Sequence, residues 1–134
     1  MKSFGIAYGA ALITFLVIDG IWLGIVAKSF YSENMGNLLR SKVLALPAVA
    51  FYLAYTAGLV FLAVRPGQPD ISLLSVALYG ALVGFLAYGT YDITNLATLR
   101  DWPWIVSVVD MIWGTFLSAT VASISALALR YFNS

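Results

Sequence analysis

The sequence has no cysteine and no histidine, and only 10% of its 134 residues are charged. Without cysteine there are no disulfides, no thiol nucleophile and no thiolate metal site. Without histidine, imidazole-held haem, histidine-bound zinc and imidazole general-base chemistry are excluded as well. Charge is balanced as well as scarce, seven basic residues against six acidic for a formal +1. A nucleic-acid partner would call for a clustered basic surface, so none is expected. Any chemistry falls to carboxylates, hydroxyls, amides, Lys and Arg, and aromatic rings. This alphabet calls for no cofactor and no metal.

What is abundant is apolar. The chain is 62% hydrophobic with a mean hydropathy of +0.93, outside the range of ordinary soluble domains. A spanning helix needs about 20 apolar residues, and four segments qualify: 4–27 with one charge at Asp19, 43–64 with none, 71–95, and 104–129 with one at Asp110. The expected fold is an all-α membrane protein, a bundle of four transmembrane helices forming a single integral membrane domain over residues 1–134. Pro66, Gly67 and Pro69 make "RPGQPD" (Arg65–Asp70) a firm break. Lys2 ahead of an apolar run imitates a signal peptide. However, Asp19 inside the run, its extension through "IWLGIVA" and the missing cleavage motif mark a true first span.

Spans one and three share a faint pattern, "YGAALITFLVID" (Tyr8–Asp19) against "YGALVGFLAYGTYD" (Tyr79–Asp92), and Pro47 and Pro103 open spans two and four. A two-plus-two repeat of helical hairpins accounts for this. So does chance matching in an alphabet dominated by Ala, Gly, Leu and Phe. "GIAYG", "GIWLG" and "GALVG" are small-xxx-small patterns that let helix backbones approach, within the chain or in a homo-oligomer.

Side A denotes the face with the termini and the Arg65–Asp70 turn, and side B the other. At about 1.5 Å per residue, Asp19 lies roughly 12 Å from the side-B end of its span and Asp110 roughly 9 Å from the side-B end of its own. Asp92 and Asn95 come at the side-B end of span three. Every intramembrane charge thus falls in one half of the bilayer. "DGIW" and "DMIW" place Asp19 with Trp22 and Asp110 with Trp113 at i and i+3, one helix face each. Because the two spans run in opposite directions, Asp19 is level with Trp113 and Asp110 with Trp22. Each carboxylate is therefore placed to accept the indole N–H of the opposite helix.

The plainer reading is an interhelical clasp, with tryptophans as interfacial anchors. It suits Trp102 and Trp104. It suits Asp19 and Asp110 less well, since a central Asp costs about 2.5–3.5 kcal/mol on insertion scales and Ser, Thr or Asn would clasp more cheaply. Asp19, Trp22, Asp92, Asn95, Asp110 and Trp113 are therefore the candidate ligand- or proton-binding residues. No residue is assigned a catalytic role.

In "YDITNLATLRDWPW" (Tyr91–Trp104), Asp92, Asn95 and Thr98 form one polar stripe on a helix that outruns the hydrocarbon and reaches the pocket mouth. "LRDWPW" reads as a turn, with Asp101 as an N-cap and Pro103 in the first turn of span four. "KSFYSENMGNLLRSK" is expected to lie along the interface, with Phe30, Tyr31, Met35, Leu38 and Leu39 dipping in.

"YDITNLATLRDWP" with "DMIWG" and "DGIWLG" resembles an uncharacterised family of small bacterial inner-membrane proteins, a domain of unknown function with four predicted helices. The resemblance covers essentially the whole chain and implies a multi-pass place in a bacterial inner membrane. Its marked positions are Asp19, Trp22, Asp92, Asn95, Pro103, Asp110 and Trp113. It supplies no activity. Relatives beside lipid-modifying enzymes imply a lipid connection.

Side B carries Lys28, Arg40, Lys42 and Arg100 against Lys2, Arg65 and Arg130 on side A, which leans toward side B in the cytoplasm. Three functions fit these residues. The first is a membrane protein that binds or transports a small cationic, hydrophobic or amphipathic ligand through carboxylates and aromatic rings. The second is a lipid-modifying enzyme using Asp92 or Asp110 as acid or base, although no "DDxxD"-type metal cluster is present. The third is a non-catalytic membrane assembly partner. Membrane lipids surround it in every case.

Overall fold

The structure, a computed structural model, describes residues 2–133. Among these it is helices and turns throughout: α1 (Lys2–Val26), a short α2 (Lys28–Met35), α3 (Ala45–Val64), α4 (Leu73–Thr98) and α5 (Trp104–Asn133). All except α2 are long and apolar enough to cross a membrane. Each matches one of the expected spans to within a few residues. α4 runs on to Thr98, about 39 Å for its 26 residues at 1.5 Å each, so it outreaches the hydrocarbon layer of about 30 Å.

Local chemistry sets the ends. The Ser72 hydroxyl accepts the backbone N–H of Ser75 at 3.1 Å and so caps α4. Pro47 sits in the first turn of α3, where no intrahelical hydrogen bond is lost. At α5 the expectation is corrected. Pro103, not Asp101, stands directly ahead of Trp104, and its carbonyl accepts the Val106 N–H at 3.1 Å. Asp101 is two residues too early in the turn to cap.

α5 is the centre of the bundle, lying between α1 and α4, and α3 joins mainly through its last turn. The closest approach is α4 on α5. A Cβ at Gly84 would fall 2.7 Å from the Ser118 hydroxyl, so "GALVG" is a contact surface within the chain. The glycines of "GIAYG" and "GIWLG" on α1 meet nothing within 4 Å. The core, with Phe15, Leu59, Val60, Val76, Leu117 and Val121, fills the side-A half. Two interhelical hydrogen bonds cross it, between the hydroxyls of Tyr55 and Ser118 (2.6 Å) and from the Ser125 hydroxyl to the Ala7 carbonyl (2.7 Å). The outer surface carries Ile13, Leu46, Phe61 and Ile112. Large aliphatics outside and Gly, Ala and Ser at the contacts is the pattern of a protein whose solvent is lipid.

Toward side B, α3 leaves the bundle. Its buried residues, Tyr55, Thr56, Leu59, Val60, Ala63 and Val64, all lie from Tyr55 onward, while those before it are exposed apart from half-buried Ala48 and Tyr52. The two hairpins share an up-and-down topology but differ in packing. The departure of α3 opens a cavity.

Candidate functional site

The cavity has a volume of about 870 Å³ and lies in the side-B half. α1 contributes Asp19, Trp22 and Leu23; α3 contributes Ala48, Phe51 and Tyr52; α4 contributes Ala87, Tyr88, Thr90, Tyr91 and Thr94; and α5 contributes Asp110 and Trp113. Two carboxylates and six aromatic rings line it, with no Lys or Arg.

Its organising contact is a stack of two tryptophans, Trp22 on Trp113, with ring centroids 4.2 Å apart and planes 8° from parallel. α1 and α5 are antiparallel, so stacking these rings brings each Asp-x-x-Trp pair alongside the other. Asp19, buried, accepts the Trp113 indole N–H at 3.1 Å and the Tyr52 hydroxyl at 2.8 Å. That is the direct crossed contact the helix depths imply. The other half is bridged. The Trp22 indole donates to the Tyr31 hydroxyl at 3.2 Å, and that hydroxyl donates to Asp110 at 2.8 Å. Tyr31 comes from α2, which is thereby pinned over the side-B end of the bundle. A π-helical turn at Trp22–Val26 precedes it, a widening of the helix often found at functional sites. Burial, and then the negative charge of Asp110, hold the Tyr31 phenol above its ordinary range, so it is a standing proton donor.

A second cavity of about 430 Å³ lies beneath α2, lined among others by Lys28, Tyr31, Met35, Trp102 and Val106. It shares Leu23, Tyr91 and Asp110 with the first. The Tyr31–Asp110 bond therefore stands at the boundary between an interfacial chamber and an intramembrane one.

Four of the six candidate residues, Asp19, Trp22, Asp110 and Trp113, line the main cavity. Asp92 does not. It is fully buried at the α4–α5 contact, behind the wall. Neither Asp92 carboxylate oxygen meets a donor among the described residues. Asn95, one turn on, is half-buried and lines neither cavity.

Trp102 corrects an expectation. It is 7% exposed rather than an interfacial anchor. Its indole donates to the Ser107 hydroxyl at 2.9 Å, and that hydroxyl donates to the Asp92 backbone carbonyl at 2.8 Å. The connection after α4 is thus fastened back onto the helix beside Asp92. Trp104, 65% exposed, keeps the anchor position. Tyr31, Tyr52 and Tyr88 were not among the candidates. The signal available for Tyr52 and Tyr88 was the pair of Y-x-x-Y spacings, "YLAY" on α3 and "YGTY" on α4, which direct tyrosines inward from facing helices.

Fold and site together define a small multi-pass helical membrane protein with an acidic, aromatic cavity in one half of the bilayer. Residues 4–127 match the family described as "Predicted membrane protein (DUF2177)", and the chain belongs to that family. Neither a curated protein nor a solved structure matches it. The family's description gives a membrane location and no activity.

Proposed function

We propose that the chain binds a small cationic amphipath in the side-B cavity and carries it, with Asp19 and Asp110 as counter-charges, in the inner membrane of a bacterium. The observation that carries this reading is the lining: two carboxylates and six aromatic rings with no basic side chain among them. A cation set there gains Coulomb attraction and cation–π contacts together, each strengthened where water is excluded. The 870 Å³ volume falls within the range of about 300–1,000 Å³ typical of small-molecule pockets. The departure of α3 leaves a side entrance through which the apolar part of a ligand can stay in lipid.

Trp22 and Trp113 supply the readout. Titration of the detergent-solubilised protein with tetraphenylphosphonium is expected to quench tryptophan fluorescence saturably, and Asp19→Asn or Asp110→Asn to weaken binding about tenfold, the loss of one charge contact. Uptake into proteoliposomes should fall with the same variants. Unsaturable quenching, or wild-type affinity in both variants, would sink the reading.

Asp92, buried with neither carboxylate oxygen partnered among the described residues, favours a second reading, a lipid-modifying enzyme that uses Asp92 or Asp110 in acid–base chemistry. It requires the membrane lipid profile to change on deletion and to be restored by wild type but not by Asp92→Asn.

A further inference from the structure

On the opposite face, Arg65 is the only described non-glycine residue with positive φ, at φ 53° and ψ 67°. It ends α3 in the left-handed conformation, its N–H bonded to the Val60 carbonyl at 2.9 Å, a position usually held by Gly or, less often, Asn. Glycine stands two residues on, at Gly67. A backbone outlier kept with a bulky residue points to a use for the side chain. That side chain is fixed. Its Nε donates to the Leu62 carbonyl at 2.9 Å, and the guanidinium carbon sits 4.1 Å from the Tyr79 ring centroid. Neither terminal nitrogen has a hydrogen-bond partner among the described residues, which leaves side by side the fork that grips an oxyanion.

Arg130 shares the site. One of its terminal nitrogens donates to the Ile71 carbonyl at 2.7 Å, which holds the end of α5 against the start of α4. Arg65 and Arg130 line one cavity of about 110 Å³ together with Gln68 and Asn133. It is large enough to admit several waters or one phosphate group. No ion pair joins either guanidinium to a carboxylate among the described residues. A snorkelling arginine would leave its head mobile in the headgroup layer, whereas these two are tied down by backbone carbonyls. Arg65, Pro66 and Gln68 also border a second, larger groove of about 690 Å³, where Phe4, Phe61 and Leu62 supply an apolar wall. A small cationic cavity beside a groove with one apolar wall matches a phospholipid, with its phosphate in the cavity and its glycerol and chains along that wall.

We propose that Arg65 and Arg130 form a binding site for the phosphate of an anionic phospholipid in the side-A leaflet. The site is separate from the side-B cavity and does not depend on its function. Delipidated protein in mild detergent is offered phosphatidylglycerol, phosphatidylcholine or diacylglycerol, and bound lipid is counted by native mass spectrometry. Phosphatidylglycerol is expected to bind best and diacylglycerol, which has no phosphate, worst. Arg65→Gly suits the left-handed position and should keep the melting temperature. It should lower phosphatidylglycerol affinity about tenfold, as the loss of one charge-assisted contact does. Arg130→Gln should act in the same direction. Equal retention of the three lipids, or unchanged affinity in Arg65→Gly, overturns the site. Displacement of the lipid by an equal concentration of inorganic phosphate would make it a free-anion site and overturn the lipid assignment.

Discussion

Asp19 is buried and holds two neutral donors, Trp113 and Tyr52. Those bonds orient the carboxylate without neutralising it. Asp19→Asn keeps the shape and one acceptor oxygen, so helicity should survive while cation binding falls. Circular dichroism beside the fluorescence titration separates the two. Tyr31 makes a sharper case because its proton belongs to the contact. Its phenol binds a proton more tightly in the folded chain than in the unfolded one, whose value is about 10. Below pH 10 both states are protonated and stability is independent of this group. Above pH 10 the unfolded chain loses the proton first, so the stability that Tyr31 contributes declines as pH rises. Release of α2 above pH 10, followed by proteolysis between Lys28 and Lys42, is the expected outcome, and Tyr31→Phe should be loose already at pH 7. A flat pH profile in the wild type would exclude it. Asp19 and Trp113 were legible because depth along a straight helix is arithmetic. Tyr31 was not, because its position depends on how a connecting segment folds back, which periodicity does not report.

At the level of elements, the pairing of α4 with α5 rests on missing side chains. Gly84 is where the Ser118 side chain lies, and a leucine there would force the helices apart. Overpacking of this kind costs about 1–3 kcal/mol, so Gly84→Leu should unfold at a lower SDS fraction than wild type. Gly9→Leu on α1, where nothing lies within 4 Å, should match wild type unless copies of the chain meet there. The sequence shows both as the same small-xxx-small pattern. Only the neighbours distinguish them, and neighbours are a tertiary fact. The four spans were legible for the converse reason, since bilayer thickness imposes a length that composition reveals directly. Trp102 was misread because a tryptophan beside a proline at a helix boundary also describes an interfacial anchor. Trp102→Phe removes a buried hydrogen bond worth about 1 kcal/mol and should lower the melting temperature, whereas Trp104→Phe should not.

For the whole molecule, the two halves of the membrane are used differently. The side-A half is a packed core, and the side-B half is a chamber bounded by a helix that leaves the bundle. Every acid in a spanning helix falls in the second half, so access should be one-sided. The absence of cysteine makes this directly measurable. A single cysteine in place of Thr94, exposed on the cavity wall, should react rapidly with a water-soluble maleimide. One in place of Leu117, at 0% exposure in the core, should react only after denaturation. Asp110 stands between the interfacial and intramembrane chambers, so tetraphenylphosphonium bound there should slow labelling at Thr94 and leave an exposed side-A position such as Gln68 unchanged. Equal slowing at both positions would mean that the cation acts through the detergent or bilayer rather than through the cavity. With impermeant reagent on sealed cells, protection of Thr94 and reaction at Gln68 is the pattern expected if the extra basic residues of side B lie in the cytoplasm; the reverse pattern would invert the orientation and leave the chamber facing outward.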